Sequence, residues 1–203
     1  MIRSINHAAF RCLDSAKTIE FYVEGLGLAF SMASQSEIVP SMGITCPHFH
    51  MFFELADGSN IAFFEAPLLP LPTDDPGIPP WIQHIALDVA DDATLIAAKQ
   101  RLDALGITTS EIIDHGISHS VYFSDPSGHR LELIHWLDRS AEMRARRKGE
   151  APARFIQWQK RKALLANDVG DGATNIEKPR SAITPEDPAL ERADMPFGGG
   201  CFD

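Results

Sequence analysis

The sequence lacks several features that would set it apart from ordinary globular proteins. Its three cysteines, Cys12, Cys46 and Cys201, are odd in number and widely spaced among 203 residues. This spacing fits neither a disulfide framework nor a paired-cysteine metal site. No run approaches the roughly 18–20 consecutive apolar residues of a membrane helix, and residues 1–8 lack the basic start and apolar run of a signal peptide. We therefore expect a cytoplasmic protein with no membrane partner.

Positive charge is scarce in the first two thirds of the chain. Residues 1–138 hold 6 Lys/Arg against 18 Asp/Glu, a net charge of −12, whereas residues 139–203 hold 12 against 10. Because nucleic-acid binding depends on neutralising phosphates, the acidic part predicts no nucleic-acid partner. The basic excess lies in residues 139–162, which form either a nucleic-acid arm or a segment lying on the acidic body of the same or a partner subunit. Charge complementarity favours the second interpretation.

An internal repeat indicates the architecture. Residues 5–10 and 82–87 both read Ile-polar-His followed by apolar residues, 77 positions apart. Each copy continues with an acidic turn, an amphipathic helix, a glycine-containing exit and a hairpin, in which Gly58 corresponds to Gly128. Each copy therefore predicts a βαβββ module.

The two modules define the predicted domain organisation. Residues 1–67 form module one and residues 81–138 module two, joined by a linker, 68–80, that is too rich in proline for a helix or a central strand. Residues 139–203 form a C-terminal extension, predicted to be two helices docked on the body, over 140–148 and 153–166, followed by irregular chain. The predicted fold is α+β, with the modules forming an open, curved mixed sheet around a cavity of ligand-binding size.

Two histidines and one glutamate point to a metal site in that cavity. His7 and His84 occupy equivalent positions in the two modules, and Glu132 lies in the last strand of module two between apolar neighbours. Strand alternation turns Glu132 into the cavity, where a carboxylate needs a compensating charge. Two histidines and a carboxylate form the ligand set typical of non-haem Fe(II), and three unrelated polar residues are the alternative. We predict one divalent metal, Fe(II) first, with Mn, Zn and Ni as alternatives.

The sequence resembles the vicinal oxygen chelate superfamily. The resemblance is carried by the paired modules, the Ile-x-His-x-Ala strand and residues 122–133, which read Tyr-Phe-Ser-Asp-Pro-Ser-Gly-His-Arg-Leu-Glu-Leu. That superfamily includes glyoxalase I, methylmalonyl-CoA epimerase, fosfomycin and bleomycin resistance proteins, and type I extradiol dioxygenases. The resemblance covers residues 2–137 and implies the fold more specifically than the reaction, because one fold hosts several chemistries.

The fourth metal ligand separates the reaction classes within the superfamily. Glyoxalase I and the epimerases use a Glu in the last strand of the first module, and the hairpin correspondence puts Ala62 in that position here. A methyl group cannot coordinate a metal. Glu65 lies three residues further on, and a strand bulge that turned it inward would favour a lyase or isomerase.

Resemblance to the extradiol dioxygenases assigns further polar residues to the same cavity. It implies that Tyr122 is the tyrosine beside the metal and that His115 is the histidine of the second module, with His119 as its substitute. In module one, either His48 or His50 is expected to enter the cavity, and His50 fits the family spacing better.

The function that the resemblance implies is extradiol-type, ring-cleaving dioxygenation of a small catechol-like aromatic with Fe(II) and O₂. A neutral imidazole near the metal accepts the substrate hydroxyl proton, and Phe52, Phe64, Trp81 and Trp136 form either the ring pocket or part of the core. Two alternatives stay open. One is a metal-dependent lyase or isomerase of the glyoxalase and epimerase type, and the other is a non-catalytic protein that binds a drug or metabolite.

We also expect a homodimer. The ligand-bearing sheets must come together, either within one chain or by pairing module one with module two of a second chain. Both arrangements leave sheet edges suited to two-fold contact. The basic extension carries an apolar stripe that a monomer must bury, and the acidic body offers complementary charge.

Overall fold

The computed structural model describes residues 4–71 and 81–168. Parts of the predicted linker, residues 72–80, and of the irregular extension, residues 169–203, lie outside the described residues. No helix of the described part is long and apolar enough to cross a membrane.

Module one forms a four-stranded mixed sheet with one helical segment. In chain order its elements are β1 (His7–Cys12), α1 (Ser15–Glu20) continuing into a π-helical turn (Phe21–Gly25), β2 (Ala29–Val39), β3 (Ile44–Glu54) and β4 (Asn60–Glu65). The strand order is β1-β4-β3-β2. Strand β1 runs parallel to β4, and the other pairs are antiparallel.

Module two repeats this plan. Its elements are β5 (Ile85–Asp88), α2 (Asp92–Ala104), β6 (Ile113–Asp114), β7 (Ser118–Ser124) and β8 (Arg130–Trp136). The strand order is β5-β8-β7-β6, with β5 parallel to β8. The predicted α+β fold of two βαβββ modules is confirmed.

In each module, an aspartate caps the start of the helix and a glycine occupies the hairpin turn. The Asp14 carboxylate accepts a hydrogen bond from the Lys17 N–H at the start of α1, and Asp91 accepts one from the Thr94 N–H at the start of α2. Such caps satisfy N–H groups that have no partner within the helix. The hairpin turns also correspond, since Gly58 and Gly128 have φ of 81° and 89°, a region that costs glycine little.

One hydrophobic core contains residues of both modules. Strand alternation directs Phe53 and Phe63 of module one, and Val121 and Leu131 of module two, into this core. The helical segments add the fully buried side chains of Tyr22, Leu95 and Leu102. The opposite face of each sheet is therefore turned away from the core that the modules share.

Hydrogen bonds also join the two modules on the core side. The Tyr22 hydroxyl donates to the buried Asp125 carboxylate over 3.2 Å. The His129 ring donates through Nε2 to the Arg11 carbonyl oxygen over 2.6 Å. These bonds connect the π-helical turn and β1 of module one to the turn between β7 and β8 of module two.

The described residues divide into two compact units, a first formed by residues 4–71, 81–114 and 118–135 and a second formed by residues 115–117 and 136–168. Helix α3 (Ala141–Asp168) of the second unit is continuous, whereas the sequence predicted two helices separated around Pro152. The Glu150 carboxylate binds Arg146 at 2.7 Å and Arg154 at 2.8 Å. These i,i+4 pairs on both sides of Glu150 support the helix across the position where proline removes a backbone hydrogen bond.

Candidate metal centre

Glu132 is the most buried acidic group of the candidate site. It lies on β8 between two core residues, and its side chain is 0% exposed. The Tyr122 hydroxyl, on neighbouring β7, donates a hydrogen bond to Glu132 Oε1 over 2.9 Å. Burying a carboxylate is costly unless its oxygens are compensated, and Tyr122 compensates one of the two.

The second oxygen of Glu132 faces His84, which immediately precedes β5. His84 Nε2 and Glu132 Oε2 are 3.1 Å apart, yet Glu132 Oε2 accepts no hydrogen bond within the described residues. Ligand atoms about 2.1 Å from a metal and at right angles to each other are about 3.0 Å apart. The two side chains therefore have the spacing of neighbouring ligands of one metal ion.

His7 has its tautomer set by a neighbour. Its Nδ1 donates to the Asn6 amide oxygen over 2.7 Å, which leaves the Nε2 lone pair for a ligand. A hydrogen bond on the far nitrogen is the usual way in which a metal-binding histidine is oriented. His7 lies at the start of β1, and its ring centroid is 5.3 Å from that of Phe52 and 6.0 Å from that of His50.

His48 and His50 both project from the His7 side of module one. The His50 ring stacks on Phe64 with centroids 3.6 Å apart, and His48 lies 5.5 Å from the same ring. His48 Nδ1 donates to the Cys46 carbonyl oxygen over 2.8 Å. Phe52 and Phe64, predicted as pocket residues, are thus packed among these histidines.

The surroundings of His50 favour its neutral form. Burial, and then the neighbouring imidazoles of His7 and His48, lower the pKa of His50 below its ordinary value. Its Nε2 is buried and forms no hydrogen bond within residues 4–71 and 81–168. A neutral imidazole with a free ring nitrogen is suited to accept a proton near pH 7.

The other predicted catalytic histidines are placed differently. His119 lies on the face of β7 opposite to Tyr122, where its Nδ1 is 2.8 Å from Asp92 and its Nε2 is 3.8 Å from Asp114. It therefore connects β7 to the start of α2. His115 belongs to the second compact unit.

The two other predicted pocket residues are Trp81 and Trp136. Trp81 is 68% exposed at the start of module two. Trp136 belongs to the second unit, where the Arg147 guanidinium stacks over its ring at 4.3 Å.

The predicted position of a fourth ligand holds no carboxylate. Ala62 is fully buried on the ligand-bearing face of β4. Glu65 lies on the other face, where its Oε1 accepts a hydrogen bond from the Ser15 N–H at the start of α1 over 3.3 Å. Strand alternation continues without a bulge between β1 and β4, so Glu65 is held away from the site.

One chain does not gather the three predicted ligands. Among the described residues, no three His, Cys, Asp or Glu side chains lie close enough to hold a metal ion. His84 and Glu132 form a pair on the sheet of module two, and His7 lies on the sheet of module one. Both faces are turned away from the shared core. That His7 joins the pair in one metal site remains a prediction.

Two residues of the site were missed by the sequence interpretation. Asn6 orients His7, and the Arg130 guanidinium lies 4.4 Å from the centroid of the Tyr122 ring. Strand alternation could have identified Arg130, because Arg130 lies two residues before Glu132 on β8 and therefore shares the face of Glu132.

Comparisons with known proteins agree with this fold. Residues 4–133 match the model of the glyoxalase/bleomycin resistance protein/dioxygenase superfamily. No curated protein matches the chain.

Several solved structures are similar. A protein designated SMU.1112c is 25% identical, with a TM-score of 0.50, over 66% of this chain and 99% of that one. A glyoxylase/bleomycin resistance protein/dioxygenase domain from Frankia sp. EAN1pec is 15% identical, with a TM-score of 0.58, over 69% and 96%. The fosfomycin resistance protein FosX from Listeria monocytogenes, complexed with Mn(II) and sulfate, is 22% identical, with a TM-score of 0.48, over 71% and 99%.

Proposed function

Because the chain belongs to the glyoxalase/bleomycin resistance protein/dioxygenase superfamily, we propose that it is an extradiol-type dioxygenase that cleaves a small catechol-like aromatic. The observation that carries this proposal is the donor set. It consists of the imidazole of His84 beside the buried Glu132 carboxylate, with His7 as the predicted third ligand and Ala62 in the position of a fourth. Three protein ligands leave positions open for two oxygens of a diol and for O₂, as in non-haem Fe(II) sites.

The residues present fit such a metal. His84 and Glu132 have the spacing of neighbouring ligands, and each keeps a buried polar atom without a hydrogen bond in the described part of the chain. His7 would be the third ligand through Nε2. Bound Fe(II) would supply the redox-active centre at which the diol and O₂ meet.

Protein groups beside the proposed metal ligands would bind and orient the substrate and accept its proton. His50, whose pKa is lowered by burial and whose Nε2 has no hydrogen-bond partner among the described residues, would accept a hydroxyl proton of the diol. Tyr122 holds the Glu132 carboxylate through its hydroxyl. Phe52 and Phe64 provide an apolar wall beside His50, against which an aromatic ring can pack.

The complete site would form between two copies of the chain. His7 of one copy would join His84 and Glu132 of the other, because the two ligand faces of one chain are both turned away from its core. The edge strand β2 supports a second copy, since it exposes Phe30, Met32 and Ile38. An exposed edge strand with apolar side chains favours burial against another chain. The homodimer is thus part of the proposal.

Metal analysis and oxygen uptake test the proposed reaction. The chain is reconstituted anaerobically with Fe(II), and O₂ consumption is followed with a panel of catechols. We expect Fe(II) to be retained and O₂ to be consumed as the aromatic absorbance is lost, with Glu132→Gln as the inactive control. Bound metal without uptake on any catechol would contradict the proposal and favour a lyase or isomerase. Absence of metal binding would favour a non-catalytic binding protein.

A further inference from the structure

Arg130 occupies a position beside the proposed metal ligands. It is the first residue of β8 and shares the face of Glu132, two residues further on. The register of β5 with β8 pairs Ile85 with Leu131. Because β5 and β8 run in the same direction, the residues before this pair, His84 and Arg130, also lie side by side. A permanent positive charge therefore borders the pair of ligands.

The guanidinium of Arg130 is incompletely satisfied. It lies over the Tyr122 ring, 4.4 Å from the centroid, and this is a cation–π contact. Its Nε is buried and has no hydrogen-bond partner among the described residues. A guanidinium carries five N–H donors in a planar fork. The ring contact leaves this fork available to an acceptor.

The charge of Arg130 is unusual for this part of the chain. Residues 1–138 hold 6 Lys/Arg against 18 Asp/Glu, so the body as a whole repels anions. Other basic side chains of the body are engaged: Arg11 donates to the carbonyls of Leu69 and Pro70, and Lys99 pairs with Asp103. An anion approaching the ligand pair would meet Arg130 as the basic group beside it.

We propose that Arg130 binds an anionic group of the substrate, and that the substrate is an aromatic diol carrying a carboxylate. This inference rests on the proposed dioxygenase function. A guanidinium binds a carboxylate through two parallel N–H···O bonds. The contact with the Tyr122 ring positions the guanidinium, and the Tyr122 hydroxyl in turn donates to Glu132. The acidic substituent would therefore be held at a fixed place relative to the metal ligands.

The first experiment compares an acid with its neutral ester. Dihydroxybenzoates with adjacent hydroxyls, each paired with its methyl ester, are tested for O₂ uptake by the Fe(II)-loaded protein. We expect kcat/KM to be roughly tenfold or more higher for the best acid than for its ester. Arg130→Gln should abolish this preference by lowering the value for the acid alone, and Arg130→Lys should restore part of it. Arg101→Gln, on the exposed side of α2, is the charge-matched control and should leave the preference unchanged.

The second experiment measures binding without turnover. The full chain is titrated with the same acid and ester by calorimetry in the presence of Zn(II), which has no redox chemistry. We expect the wild-type protein to bind the acid more tightly, and Arg130→Gln to bind both equally. A wild-type protein without this preference, or a preference that survives in Arg130→Gln, overturns the inference. If Arg130→Gln does not fold, as judged by circular dichroism, the acid-over-ester preference is compared between the wild-type protein and Arg130→Lys instead. A preference that is equal in the two proteins, or absent from the wild type, overturns the inference.

The two experiments separate this inference from the proposed reaction. O₂ uptake with equal use of acid and ester would keep the reaction and overturn the role of Arg130. Preferential binding of the acid that Arg130→Gln removes, without O₂ uptake on any diol, would keep the anion site and overturn the reaction.

Discussion

Glu132 Oε2 and His84 Nε2 lie 3.1 Å apart, and no hydrogen bond satisfies that carboxylate oxygen within the described residues. Glu132 is fully buried, so an unsatisfied oxygen there is costly. A shared metal ion would remove this cost, because it would bind the carboxylate and the imidazole together. The unsatisfied oxygen therefore supports the proposed metal site.

Tyr122 should tune the affinity of this site for metal. Its hydroxyl holds Glu132 Oε1 at 2.9 Å, and loss of such a supporting bond typically lowers metal affinity about 10–100-fold. We expect this loss in Tyr122→Phe, measured by competition with a chromophoric chelator. An unchanged affinity would mean that the Glu132 carboxylate is positioned without Tyr122.

The second tyrosine of the chain provides the matched control. Tyr22 is fully buried, and its hydroxyl donates to Asp125 at 3.2 Å across the module interface. Burial, and then the Asp125 charge, raise the pKa of Tyr22, so the hydroxyl remains a donor. Tyr22→Phe leaves Asp125 with one bond fewer, and we expect a loss of about 1–3 kcal/mol in the free energy of unfolding. Metal affinity should not change, and urea unfolding together with the chelator assay checks both expectations.

His50 should make the stability of the protein depend on pH. Its pKa in the folded state is below the ordinary value of 6.5, so the unfolded chain takes up this proton first as the pH falls. The stability contribution is therefore present above pH 6.5 and is lost as the pH drops toward the folded-state value. We expect the melting temperature of the wild-type protein to fall more steeply below pH 6.5 than that of His50→Gln. Parallel curves would show that His50 titrates as in the unfolded chain.

Local signals explain why much of the fold could be predicted. The repeated Ile-polar-His strands, the capping residues Asp14 and Asp91, and the hairpin glycines each act over a few neighbouring residues. Alternation along one strand is equally local. It was sufficient to turn Glu132 to the ligand face and Glu65 away from it.

Longer-range packing explains what the sequence did not predict. Strand β2 extends over Ala29–Val39 although its side chains are mostly exposed, because pairing with β3 rather than burial defines it. Helix α3 continues past Pro152 through the ion pairs of Glu150. The separation of His7 from His84 follows from which faces of the two sheets share a core, and no pattern within either module specifies that choice.

Mixed dimers test the shared metal site most directly. A His7→Ala chain and a Glu132→Ala chain, carrying different affinity tags, are coexpressed, and the mixed dimer is purified through both tags. If His7 of one copy joins His84 and Glu132 of the other, both substitutions fall in one site and the second site is intact. We then expect one Fe(II) per mixed dimer and about half of the wild-type O₂ uptake, while either variant alone has neither. A mixed dimer that binds no metal and consumes no O₂ would contradict a site built from two chains.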